Sequence, residues 1–168
     1  MLEKKNIIFI CTGNACRSQI AHGLLKNIAG DRFNVFSAGS HPSRVHPMSI
    51  KVMEEIGIDI SHHTSDHIDD YLDKGIDIVI TVCDNANKLC PIFPGNVDRV
   101  HWSIDDPFRG WDYNENQIGS FRDTRQEINE RILDFIHDRQ FSISIDYIGC
   151  YPSFLQVILA DYYQYNPF

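Results

Sequence analysis

Eight consecutive residues, Cys11-Thr12-Gly13-Asn14-Ala15-Cys16-Arg17-Ser18, decide the fold and the chemistry that this chain can support. An apolar, β-branched run at 5–11 precedes them and apolar residues at helical spacing follow from 18 to 28, which predicts a loop between a buried strand and a helix. Five residues separate Cys11 from Arg17. A loop of this length can curl around a tetrahedral anion with its backbone N–H groups pointing inward. The helix N-terminus adds partial positive charge, and Arg17 offers a planar fork for two anion oxygens.

The first cysteine of this loop is the predicted nucleophile. The positive field favours the thiolate of Cys11, and Ser18 can donate a hydrogen bond to it. The alternative is a buried cysteine at a strand end beside a surface arginine, but the strand–loop–helix context favours the functional interpretation. Cys16 is expected to be a small structural side chain. The predicted oxyanion-binding residues are Thr12, Gly13, Asn14, Ala15, Cys16 and Arg17.

Strands and helices alternate outward from this loop, which predicts an α/β fold. Predicted strands cover 5–11, 33–38, 76–82 and 97–102. Predicted helices cover 18–28, 47–56, 66–74 (capped by Ser65 or Asp66), 85–89 and 120–139. We therefore expect a four-stranded parallel sheet flanked by helices on both faces, with right-handed crossovers. Ligands of such sheets bind outside the carboxyl ends of the strands, where Cys11, Cys83 and Asp106 should converge.

The length of 168 residues favours one domain, which we place at 1–140. An extension at 141–168 follows, with eight aromatic residues and no lysine or arginine. A helix is possible from Pro152, and this composition is too apolar for a solvated tail. Neither the role of this extension nor that of Cys150 is predicted.

Composition and charge narrow the class of protein. With 43% apolar and 23% charged residues, the composition is ordinary for a soluble protein. The absence of a membrane-length apolar run and of a secretory signal predicts a cytoplasmic protein that does not bind membranes. A net charge of −8 argues against nucleic acid as a partner. Five cysteines without a signal peptide argue against a structural disulfide framework. We expect the protein to be a monomer.

Asp105-Asp106-Pro107 follows the fourth predicted strand and supplies a candidate general acid. A carboxyl group is needed over the anion loop to protonate a leaving oxygen. Pro107 restricts the backbone of Asp106, which would help to aim its side chain. Asp105 is the neighbouring candidate and is expected only to shape the loop. The alternative is an ordinary turn built from Asp and Pro.

Cys83 and Cys90 enclose six residues directly after the third predicted strand. If 85–89 is helical, both thiols lie near one face without being within disulfide distance, so that a disulfide would require this segment to rearrange. Besides a role in catalysis, three interpretations are open. The two cysteines are packing residues, they bind zinc despite the wide spacing, or they protect Cys11 from oxidation.

Residues 11–19 resemble the active-site loop of the low-molecular-weight protein tyrosine phosphatase fold, and most closely that of the thioredoxin-coupled arsenate reductases on this fold. The similarity extends over about residues 5–140. It includes Ser37-Ala38-Gly39 and the segment from Gly57-Ile58-Asp59-Ile60-Ser61 to His63-Thr64-Ser65-Asp66.

The resemblance implies an arsenate reductase with Cys11, Arg17, Ser18, Cys83, Cys90 and Asp106 as catalytic residues. Cys11 would attack arsenate while Asp106 protonates the leaving oxygen. A Cys11–Cys83 disulfide and then a Cys83–Cys90 disulfide would follow, and thioredoxin would reduce the last one; no bound cofactor is expected. The alternatives are a phosphatase that acts on phosphotyrosine or aryl phosphates, and an oxyanion or arsenite sensor without turnover.

The resemblance also implies a potassium ion near the anion loop in some members. The matching positions are Asn14, His22, Ser37 and Asp66, but His22 stands where those proteins usually carry Glu. An imidazole is not an oxygen ligand, which argues against potassium in this chain. Asn14 is instead expected to tie the loop to Ser37. His63 would either polarise Cys83 or be a solvent-exposed loop residue.

Overall fold

A parallel sheet of four strands in the order β2-β1-β3-β4 lies at the centre of the computed structural model, which describes residues 3–139. The strands are β1 (Lys5–Cys11), β2 (Phe33–Gly39), β3 (Ile78–Thr81) and β4 (Asp98–His101). The helices are α1 (Arg17–Ala29), α2 (Pro47–Glu54), α3 (Asp84–Leu89) and α4 (Ile118–Asp138), and single 3₁₀ turns lie at Ile68–Tyr71 and Glu115–Gln117. The predicted α/β fold is confirmed, while the extension at 141–168, with Cys150, lies outside the described residues.

The strand order explains how helices come to cover both faces of the sheet. From β1 the chain returns to β2 on one side, and from β3 it continues to β4 on the other. Right-handed crossovers in opposite directions place α1 and α3 on opposite faces. Helix α1 packs on β1 and β2 and against α4, whereas α3 packs on β1 and β3. Residues 7–11 of β1 are fully or almost fully buried, as expected for a central strand covered on both faces.

The register brings the carboxyl ends of the central strands together. Cys11 pairs with Gly39 across β1 and β2, and Ile10 pairs with Thr81 across β1 and β3. A Cβ atom on Gly39 would lie 2.6 Å from the carbonyl oxygen of Thr12, so only glycine allows the loop after β1 to approach this closely. Residues 12 and 83, each just past its strand, therefore become neighbours.

The predicted helix at 66–74 is wrong, because only the 3₁₀ turn at Ile68–Tyr71 forms there. Its cap is His67, whose Nδ1 accepts a hydrogen bond from the backbone N–H of Asp69, and not Ser65 or Asp66. Those two residues contact the loop after β1 instead: Ser65 Oγ donates to the carbonyl oxygen of Gly13, and Asp66 N donates to Asn14 Oδ1. The other predicted elements are present, β1 with the predicted ends and the others with one or both ends shifted by one or two residues.

Within residues 3–139, no helix is both long and apolar enough to cross a membrane.

Candidate active site

The carbonyl groups of the loop after β1 are all held outward by hydrogen bonds. The backbone N–H groups of His41, Ser43 and His46 donate to the carbonyl oxygens of Thr12, Gly13 and Ala15, respectively. Gln19 Nε2 donates to the carbonyl oxygen of Asn14 at 3.0 Å. Because every peptide bond of the loop is trans, each outward carbonyl turns the N–H group of the next residue inward. The N–H groups of residues 13–16 therefore face one centre, as an oxyanion requires.

Asn14 fixes the hydroxyl proton of Ser18 toward the nucleophile. Its Nδ2 donates to Ser18 Oγ at 2.8 Å, and its Oδ1 accepts from Asp66 N at 2.9 Å, so the orientation of the amide is determined. Ser18 Oγ lies 3.0 Å from Cys11 Sγ. A Cys11 thiolate has no hydrogen to donate, so in that state Ser18 donates its hydroxyl proton to the sulfur and stabilises the thiolate. Asn14 has φ 44°, a left-handed conformation that asparagine tolerates better than most residues.

Arg17 begins helix α1 and is buried, with 8% of its surface exposed. One terminal nitrogen, Nη1, donates to the carbonyl oxygen of Ile104 at 3.0 Å, and the other, Nη2, donates to Asp106 Oδ2 at 2.9 Å. Its Nε is buried and makes no hydrogen bond within the described part of the chain. A buried unpaired donor beside the anion loop is a group that a bound oxyanion can satisfy.

Asp106, and not Asp105, lies over the anion loop. Its Oδ2 accepts from Arg17, and its Oδ1 accepts from the backbone N–H of Phe108 at 3.1 Å. An oxyanion that binds the Arg17 fork competes with this carboxylate for Nη2, which would release Asp106 toward the leaving oxygen. The structure thus brings together Cys11, Arg17, Ser18 and Asp106, as the sequence predicts.

Burial sets the state of the second cysteine of the loop. It raises the pKa of Cys16 to about 12, and the neighbouring charge of Cys11 acts in the same direction. Cys16 therefore remains a neutral thiol, which supports its prediction as a structural side chain.

Two aromatic side chains form a wall of the site that the sequence analysis missed. The cavity in front of Cys11 has a volume of about 190 Å³, and Phe108 and Trp111 line it together with Arg17 and Asp106. His46 holds this wall: its ring stacks on Trp111 and meets Phe108 edge-on, and Nε2 lies 2.8 Å from the carbonyl oxygen of Gly110. The signal in the sequence is Phe108, which directly follows Asp106-Pro107, with Trp111 three residues further on.

Cys83 lies against the anion loop in an arrangement that parallels that of Cys11. Asn85 Nδ2 donates to Thr12 Oγ1 at 3.1 Å, and Thr12 Oγ1 lies 3.5 Å from Cys83 Sγ. Either group can be the donor in this contact while Cys83 is a thiol, and only the Thr12 hydroxyl can donate once Cys83 is a thiolate. The backbone N–H of Ala86 also donates to this sulfur at 3.4 Å, so Cys83 caps the N-terminus of α3.

Cys90 lies at the opposite end of α3 and is half-buried. Burial raises its pKa, and nearby Arg99 opposes this shift only partly. At the helical rise per residue, Cα atoms seven positions apart are separated by about 10 Å, which exceeds the 4.4–6.8 Å of a disulfide. Cys83 and Cys90 can therefore pair only if α3 unwinds, as the spacing predicts.

Residues 6–142 match the family described as low molecular weight phosphotyrosine protein phosphatase. The chain belongs to this family. Among its relatives, arsenate reductase 1 of Staphylococcus epidermidis is 49% identical over 136 residues, which cover 81% of this chain and 98% of the relative. The arsenate reductase of Halalkalibacterium halodurans is 47% identical over 134 residues, which cover 80% of this chain and 96% of that relative. The structure of a thioredoxin-dependent arsenate reductase from Corynebacterium glutamicum matches with a TM-score of 0.64 at 31% identity, covering 83% of this chain and 64% of that one.

The residues at the potassium position that the resemblance implied do not suit this ion in the present chain. His22 Nδ1 lies 3.1 Å from Ser37 Oγ, and its ring stacks on His63 at 4.3 Å. Burial lowers the pKa of His22 to about 3, so that the ring is uncharged. Both Asn14 side-chain atoms are bonded to Ser18 and Asp66, so the expected Asn14–Ser37 contact is wrong.

His63 is part of this same uncharged cluster. Its Nδ1 lies 3.0 Å from Gln19 Oε1, while burial lowers its pKa to about 4. Gln19 in turn bonds the carbonyl oxygen of Asn14. The half-buried ring therefore supports the anion loop through Gln19, so the expected exposed position is wrong, and among the described residues it makes no hydrogen bond to Cys83.

Proposed function

We propose that this protein reduces arsenate to arsenite and is returned to its reduced state by thioredoxin. The observation that carries the proposal is the position of Cys83 against Thr12 of the anion loop, with a further thiol, Cys90, at the other end of α3. A hydrolase needs only Cys11, Arg17 and Asp106, whereas a thiol against the anion loop and a second thiol at the far end of α3 can remove oxidising equivalents. The arsenate reductases related to this chain point to the same substrate.

In the first step the Cys11 thiolate attacks the arsenic atom of bound arsenate. The inward N–H groups and Arg17 hold the arsenate oxygens, and Ser18 stabilises the thiolate before attack. Asp106 protonates the departing oxygen, which leaves as water. The product is a Cys11–S–As(V) adduct.

In the second step the Cys83 thiolate attacks Cys11 Sγ. The sulfur–arsenic bond breaks, its electron pair reduces As(V) to As(III), and arsenite leaves. The Cys11–Cys83 disulfide formed in this way is then attacked by the Cys90 thiolate, which gives Cys83–Cys90 and frees Cys11. The dithiol of thioredoxin reduces this last disulfide by two further exchanges.

Phosphatase activity is the second candidate function, because the anion loop and the acid serve both reactions. The aromatic wall of Phe108 and Trp111 favours it for aryl phosphates, whose rings can pack there. Phosphorus(V) does not accept the electron pair of a sulfur–phosphorus bond in this way, so phosphate esters would only be hydrolysed.

Coupled turnover with thioredoxin, thioredoxin reductase and NADPH distinguishes the two functions. We expect arsenate-dependent NADPH oxidation by the wild-type protein and none by Cys11→Ser, Cys83→Ser or Cys90→Ser. Hydrolysis of p-nitrophenyl phosphate is measured on the same preparations, where only Cys11→Ser should abolish activity. Full arsenate-dependent NADPH oxidation by both Cys83→Ser and Cys90→Ser would contradict the proposed reductase mechanism.

A further inference from the structure

Helix α3 is held in place by polar contacts to two neighbouring strand ends. Its six residues are too few for a stable isolated helix, and only Ala86 among them is buried. Asp84 Oδ1 lies 3.0 Å from His101 Nε2, and His101 Nδ1 lies 2.8 Å from Thr81 Oγ1. Thr81 Oγ1 also donates to Asn87 Oδ1 at 3.2 Å. We call these four residues, Asp84, His101, Thr81 and Asn87, the α3 anchor.

The α3 anchor joins the ends of two strands to the helix. Thr81 ends β3 and is 1% exposed, and His101 ends β4, whereas Asp84 and Asn87 belong to the helix. The hydrogen bonds of Ser103 and His101 lower the pKa of Asp84, which keeps its carboxylate charged opposite the imidazole. The last helical residue, Leu89, is in contrast 52% exposed. The anchor thus ties Asp84 and Asn87 of the helix to the ends of β3 and β4.

We propose that the α3 anchor opposes formation of the Cys83–Cys90 disulfide, with Asp84 and His101 as positioning residues that set the dithiol–disulfide equilibrium. The wound helix keeps the two Cα atoms about 10 Å apart, so the disulfide form must give up at least part of the anchor. Contacts present in the dithiol form and lost in the disulfide form stabilise the dithiol. The inference rests on the proposed function, because the α3 anchor would resist the last step of that relay within the chain, which is formation of the Cys83–Cys90 disulfide.

The equilibrium can be measured without arsenate in the full-length chain carrying Cys11→Ser. Oxidised glutathione supplies the oxidant: Cys83 and Cys90 lose two electrons and two protons to form one disulfide, and two reduced glutathione molecules are produced. Samples are equilibrated over a series of glutathione ratios and quenched with acid. The Cys83–Cys90 peptide is then quantified by mass spectrometry.

In this background we compare His101→Ala and Asp84→Ala. The Asp84 side chain is 65% exposed, so its replacement should not prevent folding. Each should shift the equilibrium toward the disulfide by roughly three- to tenfold, the range for a partly exposed charged hydrogen bond. The double variant should shift it by less than the sum of the two single effects, because Asp84 and His101 share one contact while each has another, with Ser103 and Thr81 respectively. His67→Ala is the matched control, since its Nδ1 forms a similar contact with Asp69 at 3.4 Å in another turn.

A shift confined to His101→Ala and Asp84→Ala, together with faster hydrogen exchange of the amides of 86–90, would support the proposal. Equilibria within twofold of the His67→Ala control, or shifts toward the dithiol, would overturn it. A chain that fails to reduce arsenate would still report this equilibrium, so failure of the proposed function and failure of the anchor are distinguishable.

Discussion

Replacement of His22 by Gln should make the protein less sensitive to mild acid. His22 is partly buried, bonds Ser37 through Nδ1 and stacks on His63, and its pKa is lowered from 6.5 to about 3. Below pH 6.5 the unfolded chain binds a proton at this residue while the folded chain does not, so the folded state loses stability as the pH falls. Lowering the pH from 6.5 to 5.0 therefore reduces the free energy of unfolding by about 1.6 kcal/mol through this residue alone.

Urea unfolding at the two pH values, followed by the fluorescence of buried Trp102, measures this difference. The loss of free energy of unfolding between pH 6.5 and pH 5.0 should be smaller in His22→Gln than in wild type by about 1.6 kcal/mol. Gln can still accept a hydrogen bond from Ser37, so folding should persist. His41→Gln, at an exposed ring, is the control and should lose as much as wild type. Equal losses in wild type and His22→Gln would refute the view that His22 is held uncharged.

Three further predictions follow from the same geometry. Cys16 should resist iodoacetamide at pH 8 in the folded protein while Cys11 reacts, as peptide mapping would reveal; rapid labelling of Cys16 would contradict its raised pKa. Ser18→Ala should slow alkylation of Cys11 at pH 7 by about tenfold, since a hydrogen bond to a charged sulfur is lost; an unchanged rate would show that Ser18 donates elsewhere. Replacing potassium chloride by sodium or choline chloride at equal ionic strength should leave Tm unchanged in a thermal melt, because position 22 offers an uncharged imidazole; a potassium-specific rise would contradict this.

The sequence is sufficient to predict the site where local spacing determines geometry. Cys11, Arg17 and Ser18 lie on one strand–loop–helix segment, so their proximity follows from chain connectivity. Asp106 and Cys83 follow other strands, and their convergence follows from the parallel sheet, because carboxyl ends of parallel strands share one edge. These parts required no knowledge of side-chain packing.

The remaining parts depend on contacts between distant segments. Asp66 lies far along the chain, and its backbone N–H donates to Asn14 Oδ1. This contact orients the Asn14 amide and so decides which hydroxyl group its Nδ2 bonds. Ser65 and Asp66 both bond to the loop after β1, so neither is available to cap a helix. The predicted helix at 66–74 is therefore replaced by a 3₁₀ turn. The role of His46 could not be predicted, because its ring contacts with Phe108 and Trp111 join segments more than 60 residues apart in the sequence.

The most direct test of the central claim is a map of the disulfides after one round of arsenate reduction without thioredoxin. Reduced wild-type protein is mixed with arsenate, remaining thiols are alkylated, and the peptides are analysed by mass spectrometry. The relay predicts a Cys83–Cys90 disulfide with one arsenite released per chain, and a trapped Cys11–Cys83 disulfide in Cys90→Ser. Arsenite released while both Cys83 and Cys90 remain free thiols would contradict it.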